Sequence, residues 1–157
     1  MRQVLRVLIA SCLFALASLA EAAAPADPLI GTWVLDPAKS TFKPGPAMKS
    51  QTRVFSALPE GTHMTVNVVP AEGAPYKGES NYRLDGRDYP ITGVPGMDSI
   101  ALAVAGDLKI VGTAKLKGEQ VARFNFTVSP DKRTMTLYFK SLVEERPSEN
   151  TMVFSRK

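Results

Sequence analysis

The sequence predicts an all-β protein, an up-and-down antiparallel β-barrel of eight to ten strands. Three observations predict it. Apolar and polar residues alternate along most of the chain after Pro25, and the breaks between the alternating runs carry tight-turn residues. No stretch of ten or more residues shows a helical period.

The first segment is set aside before any reasoning about the fold. Arg2 and Arg6 make a short positive region, an apolar run extends from Val7 to Ala20, and Ala20-Glu21-Ala22-Ala23-Ala24 supplies small residues. That order is the order of a secretory signal cleaved after Ala22. Residues 1–22 are therefore read as a signal peptide and 23–157 as a single domain of 135 residues, bound for the periplasm or the exterior. Ile9-Ala10-Ser11-Cys12 also has the form of a lipoprotein site. Ordinary export is the expectation, because the apolar run continues past Cys12 to Ala20. The run is shorter than the roughly 20 residues of a spanning helix and has no second copy, so no membrane span is expected.

Cys12 is the only cysteine, so the mature domain has no disulfide and no thiolate metal site. It must hold together by its core, and a chain of this length suffices for one. Removing Arg2, Arg6 and Glu21 from 19 basic and 15 acidic residues leaves 17 and 14, a net charge of +3. The charges are scattered, which suits solubility and not a nucleic-acid partner.

Strands are expected near 31–35, 49–57, 62–69, 76–84, 88–92, 98–105, 107–116, 119–128, 133–143 and 150–156. Met64, Val66 and Val68 alternate with His63, Thr65 and Asn67. Ile100, Leu102 and Val104 are placed inward, leaving Ala101, Ala103 and Ala105 outward. Phe124, Phe126 and Val128, and then Met135, Leu137 and Phe139, repeat the pattern with β-branched and polar residues between. Pro59-Glu60-Gly61, Asp85-Gly86, Gly106-Asp107, Lys117-Gly118 and Pro130-Asp131-Lys132 supply the turns. Asp36-Pro37-Ala38-Lys39 has the form of one short helical turn after the first strand. A meander this long with one apolar face closes on itself, because an open sheet would leave that face and two edges exposed. A two-sheet sandwich would need long crossovers, and none is seen. The segment 88–92 reads either as a strand or as a bulged extension, which leaves the count between eight and ten.

Gly31-Thr32-Trp33 opens the mature chain with its only Trp, and Met152-Val153-Phe154-Ser155-Arg156 closes it. A G-x-W opening and a late Arg resemble the lipocalin and fatty-acid-binding (calycin) superfamily. The resemblance implies that Trp33 lies across one end of the barrel with Arg156, or else Arg53, packed on it. A guanidinium over an indole is worth about 0.5–2 kcal/mol. Gly31 to Ser40, with Leu84-Asp85-Gly86-Arg87-Asp88-Tyr89-Pro90, also resembles small exported bacterial lipocalin-like proteins of unassigned activity. The T-D-Y segment of true lipocalins is not evident.

No catalytic site is expected. His63 is the only histidine and lies on the polar phase of its strand, so neither a metal site nor a serine triad can be built on it. Asp85 with Asp88, and Glu144 with Glu145, read as soluble turn residues. No G-x-S-x-G, G-x-x-x-x-G-K or G-x-G-x-x-G occurs, and no cofactor is expected. Arg53, His63, Asp88 and Tyr138 are the only set from which an enzyme could be assembled.

The expected function is non-enzymatic binding of a small apolar or amphipathic ligand. Phe124, Phe126, Phe139 and Phe154 would form the wall, Trp33 would close one end and Arg156 would fasten it. The alternative is a filled barrel that binds another protein of the cell envelope. A cavity of about 300 Å³ or more would favour the carrier. A packed interior with an exposed apolar patch near Val94 and Met97 would favour the interaction module. Lys43-Pro44-Gly45-Pro46 and Thr92 to Asp98 read either as loops of a barrel mouth or as plain stiffened connectors.

Overall fold

A computed structural model describes residues 27–157; the expected signal peptide and Cys12 lie outside the described residues. Ten strands follow one another: β1 (Gly31–Lys43), β2 (Ser50–Leu58), β3 (Gly61–Val69), β4 (Tyr76–Tyr82), β5 (Asp85–Thr92), β6 (Ser99–Gly106), β7 (Lys109–Leu116), β8 (Glu119–Val128), β9 (Thr134–Ser141) and β10 (Glu149–Arg156). Each pairs antiparallel with its chain neighbour, and β10 pairs with β1 to close the barrel. The fold is an up-and-down barrel, and its strand number is ten. The segment around 88–92 is a strand in its own right. It is the least regular one, shifting register between Asp85 and Asp88 and meeting β4 only at Glu79 and Ser80.

Two local expectations are corrected. Asp36 to Lys39 forms no helical turn; β1 runs through it as a bulge. The Asp36 carboxylate accepts from the Ala38 N–H at 3.1 Å. The Ser40 hydroxyl donates to the Asp36 carbonyl at 2.7 Å and accepts from the Val153 N–H at 2.9 Å. The register accordingly moves from Asp36 opposite Val153 to Thr41 opposite Thr151. Pro37, which has no N–H to give a ladder, sits where no ladder bond is required. Val104 is the second correction: it is 42% exposed, not buried. It keeps the phase of Ile100 and Leu102 and stands opposite the buried Ile110, and the pairing slips only after it, so its exposure belongs to its place at the end of β6 and not to a change of phase.

The two ends of the barrel differ. The turns after β2, β4, β6 and β8 lie at one end, together with the chain entering at Asp27. Here Leu29, Trp33, Phe55, Tyr82, Ile110, Val128 and Met135 are all at most 1% exposed and fill the interior. Each such side chain contributes on the order of 1.5–3 kcal/mol by burial. Asp27-Pro28-Leu29-Ile30 makes the seal. Asp27 Oδ1 accepts from the Leu29 N–H, and Oδ2 accepts from the hydroxyls of Thr62 and Tyr82, both at 2.8 Å. Leu29 thus becomes a plug, and its carbonyl accepts the Trp33 indole N–H at 2.7 Å. The turns after β1, β3, β5, β7 and β9 lie at the other end, which is open.

Candidate functional site: a one-ended apolar cavity

Eight strands enclose a space that side chains can just fill, and ten enclose more. Large aromatic rings occupy it at the sealed end. Toward the open end the inward positions of β3 are Met64, Val66 and Val68, and those of β5 and β6 are Ile91, Ile100 and Leu102. These are too small to meet across the barrel, and a cavity of about 210 Å³ remains. That is smaller than the 300 Å³ set out above as the mark of a carrier, so it suits a compact or partly inserted ligand.

The opposite wall is aromatic. Phe124 and Phe139 are cross-strand partners on β8 and β9, stacked with ring centroids 6.4 Å apart. Phe126 meets Phe124 edge-on at 5.7 Å and Phe55 at 6.0 Å, which carries the aromatic contact into the sealed end. The ring of Phe124 lies over Gly112 on β7, where any Cβ would overlap it. The rim is formed by Met48, Tyr76 and Asn150, and by Val94, Pro95 and Met97 of the β5–β6 loop. Val94 reaches inward over Gly78, whose missing Cβ leaves room for it. Residues 92–98 are therefore a mouth loop, and Val94 and Met97 pack on the core instead of forming an exposed patch.

One charged side chain, Arg53 of β2, lines the cavity among the described residues. Its Nε–H donates to Gln51 Oε1 at 3.0 Å, and Nη1 lies 3.8 Å from Met64 Sδ. The guanidinium carbon is 5.6 Å from the centroid of Phe126 and 6.0 Å from that of Phe154. No carboxylate of the described residues comes within 4 Å of it, unlike the paired surface cations Lys39, Lys115 and Lys140. Burial lowers its pKa from the ordinary guanidinium value to about 10, with Tyr76 and Tyr82 opposing, so it is a cation at neutral pH.

The expected site residues divide. Phe124, Phe126 and Phe139 line the cavity; Trp33, Phe154 and Arg156 do not. Trp33 and Phe154 are fully buried in the sealed end, because their strands carry them there. Arg156 lies over Trp33, 4.3 Å from the ring centroid, and donates to the carbonyls of Ile30 and Lys132 at 2.9 and 2.6 Å. Its guanidinium takes the space of a Cβ at Gly31, which has φ +135°, and this accounts for the glycine of G-x-W. Arg53, named above as a second partner for Trp33, serves the cavity. Gln51 and Asn150 escaped the sequence reading, although Gln51 and Arg53 share the phase of Phe55.

The set Arg53, His63, Asp88 and Tyr138 does not converge. His63 hydrogen-bonds Asn81 and Thr65 on the outer face of β3 and β4, and Asp88 pairs with Lys115 at 2.6 Å. Tyr138 has the outward phase between the cavity residues Leu137 and Phe139.

Fold and cavity together define a ten-stranded antiparallel barrel, plugged at one end and hollow at the other. A solved structure described as "Crystal Structure of Rv2717c from M. tuberculosis" is similar, with a TM-score of 0.53 and 14% identity over 83% of this chain and 93% of that one. At that identity the likeness concerns the fold. No protein family and no curated protein matches the chain.

Proposed function

We propose that this chain is an exported, non-enzymatic, lipocalin-like binding protein that holds a small apolar or amphipathic molecule at the open end of its barrel. The observation that carries the reading is the asymmetry of the interior: dense packing at one end, and at the other an apolar cavity rimmed by a loop. Concave, largely apolar sites with a few placed polar groups are where small ligands bind. The calycin-type resemblance of G-x-W and Arg156 supports it, since both serve the sealed end and leave the other free. The expected signal peptide supports export, and the separation of Arg53, His63, Asp88 and Tyr138 from one another supports a non-enzymatic reading.

Native mass spectrometry of the mature protein from its producing cells, followed by organic extraction, tests the proposal. A stoichiometric apolar mass released on denaturation is the expected result. A clean apo mass, with no uptake of the neutral fluorophore N-phenyl-1-naphthylamine, would overturn it and direct attention to an envelope-protein partner.

A further inference from the structure

Five of the six methionines fall within the described residues, and four of these line the cavity. Met64 and Met152 are buried, whereas Met48 and Met97 are half-buried at the rim. Of the two at the rim, Met48 has an amide donor on its sulfur. The ladder between β1 and β2 ends at Val34, and the connection 44–49 brings Met48 back onto the core beside Gln51. Gln51 is 3% exposed. Its Oε1 accepts from Arg53 Nε–H at 3.0 Å, and its Nε2 donates to Met48 Sδ at 3.6 Å. A thioether is a weak acceptor, so this buried amide is poorly satisfied. An apolar residue would fill the same place in an apolar wall without that cost. One chemical change satisfies the amide. Oxidation of the sulfur puts a strongly accepting oxygen where a weak acceptor stood.

We propose that Met48 is a site of reversible oxidation by a hydroperoxide, and that its sulfoxide, held by Gln51, weakens the grip of the open end on an apolar ligand. The effect on binding rests on the carrier reading; the site of oxidation does not. In the step, a sulfur lone pair attacks the outer oxygen of the hydroperoxide. The S–O bond forms as the O–O bond breaks, the proton of the transferred hydroxyl passes to the leaving oxygen, and water or an alcohol departs. The thioether is oxidised by two electrons and the peroxide is reduced by two. The Gln51 amide hydrogen is within reach of the oxygen as it takes on negative charge, a help that no described side chain gives Met97. Methionine has three rotatable bonds, so the new oxygen turns to Gln51 Nε2 without moving the backbone. The rim then carries a polar group in place of an apolar one. A methionine sulfoxide reductase returns the thioether, oxidising two thiols to a disulfide and releasing water.

The test treats the purified mature protein with limited hydrogen peroxide and maps the oxidised methionines by peptide mass spectrometry. N-phenyl-1-naphthylamine is titrated before and after. Met48 should gain its oxygen ahead of Met97, and well ahead of Met64, Met135 and Met152; Gln51→Leu should erase the lead over Met97. Probe binding should weaken roughly fivefold, the low end of what a polar group costs an apolar contact, while the Tm holds. Treatment with the reductase should restore it. Met48→Leu should bind the probe like the untreated wild type and keep that affinity through the peroxide step. Met97 oxidised first or equally fast, a lead that survives in Gln51→Leu, or an equal loss of affinity in Met48→Leu would overturn the proposal and leave the carrier intact. So would a Tm that falls together with the affinity, which is general damage to the core. No uptake of probe before treatment would overturn the carrier and the effect on binding together, and the map would still decide the site. The wild-type map needs no variant, so misfolding of either substitution would not rescue the idea.

Discussion

Arg53 and Arg156 are both cross-strand partners of Trp33, one from β2 and the other from β10, and their surroundings are opposite. Arg156 covers the indole and gives hydrogen bonds to two carbonyls at the sealed end. Arg53 lines the cavity, and among the described residues its guanidinium is met only by Gln51 and the Met64 sulfur. Two like side chains flanking one Trp therefore mark the boundary between the part of the barrel that is packed and the part that is hollow.

Arg53 is a half-buried cation with no carboxylate within 4 Å among the described residues. Replacing it by an apolar side chain of similar length is expected to stabilise the fold. Thermal unfolding of Arg53→Met should show a Tm several degrees above the wild type. The pH dependence has a definite sign. The folded pKa, about 10, lies below the ordinary guanidinium value, so the penalty is fully present below pH 10 and is relieved as pH rises above it. A lower Tm for Arg53→Met than for the wild type at pH 7 would contradict this account.

Arg156 and Gly31 act as one device. Arg156→Ala removes a cation–π contact and two hydrogen bonds to carbonyls, a loss of about 1–3 kcal/mol. Gly31→Ala places a methyl where the guanidinium lies, at a φ that side chains rarely adopt. Each should lower the urea midpoint. The double variant should lose less than the sum, because the steric conflict disappears with the guanidinium.

Tyr82 ties alkaline stability to the plug. Burial, and then the Asp27 carboxylate beside it, raise its pKa above the ordinary 10.0. The protonated phenol therefore contributes stability that is fully present below pH 10 and lost as pH rises beyond it, when the unfolded chain ionises first. Tyr82→Phe should be less stable at neutral pH, since Asp27 loses a donor. Its Tm should also fall less steeply between pH 9 and 11. Arg53 and Tyr82 act on each other's pKa, so the comparison is repeated in the Arg53→Met background, where only Tyr82 titrates differently. Parallel Tm–pH curves would refute the assignment.

Phe139 controls the capacity of the cavity. It is half-buried and stacked on Phe124 near the mouth. Phe139→Ala should cost less than the roughly 3–5 kcal/mol of a fully buried Phe. It should shift the preference in a series of alkyl ligands toward longer chains. Isothermal titration across that series reads the shift directly, and an unchanged optimum would place the ligand elsewhere.

Most of the fold was legible because strand alternation and turn chemistry are local. Met64-Val66-Val68 announced its inward face without help from any other strand, and Lys117-Gly118 announced a hairpin. The failures occurred where a distant partner intervened. Pro37 to Ser40 looked like a helical start because Ser40's bond to Val153 cannot be read from neighbouring residues. Val104 looked buried because alternation gives a side chain's phase but not its nearness to the end of the strand. Among the site residues, the alternation placed Phe124, Phe126 and Phe139 inward. It could not separate them from Phe154, which has the same phase but a different depth.

The sequence by itself determined that this chain alternates, turns and closes, and which phase of each strand faces in, because a period of two needs only adjacent residues. Tertiary structure alone decided how far along the barrel each inward side chain lies. That depth depends on the stagger of ten strands against one another. It made Trp33 and Phe154 part of a filled end, left a cavity beside Phe124 and Phe139, and put Arg53 into that cavity with no carboxylate of the described residues to meet it.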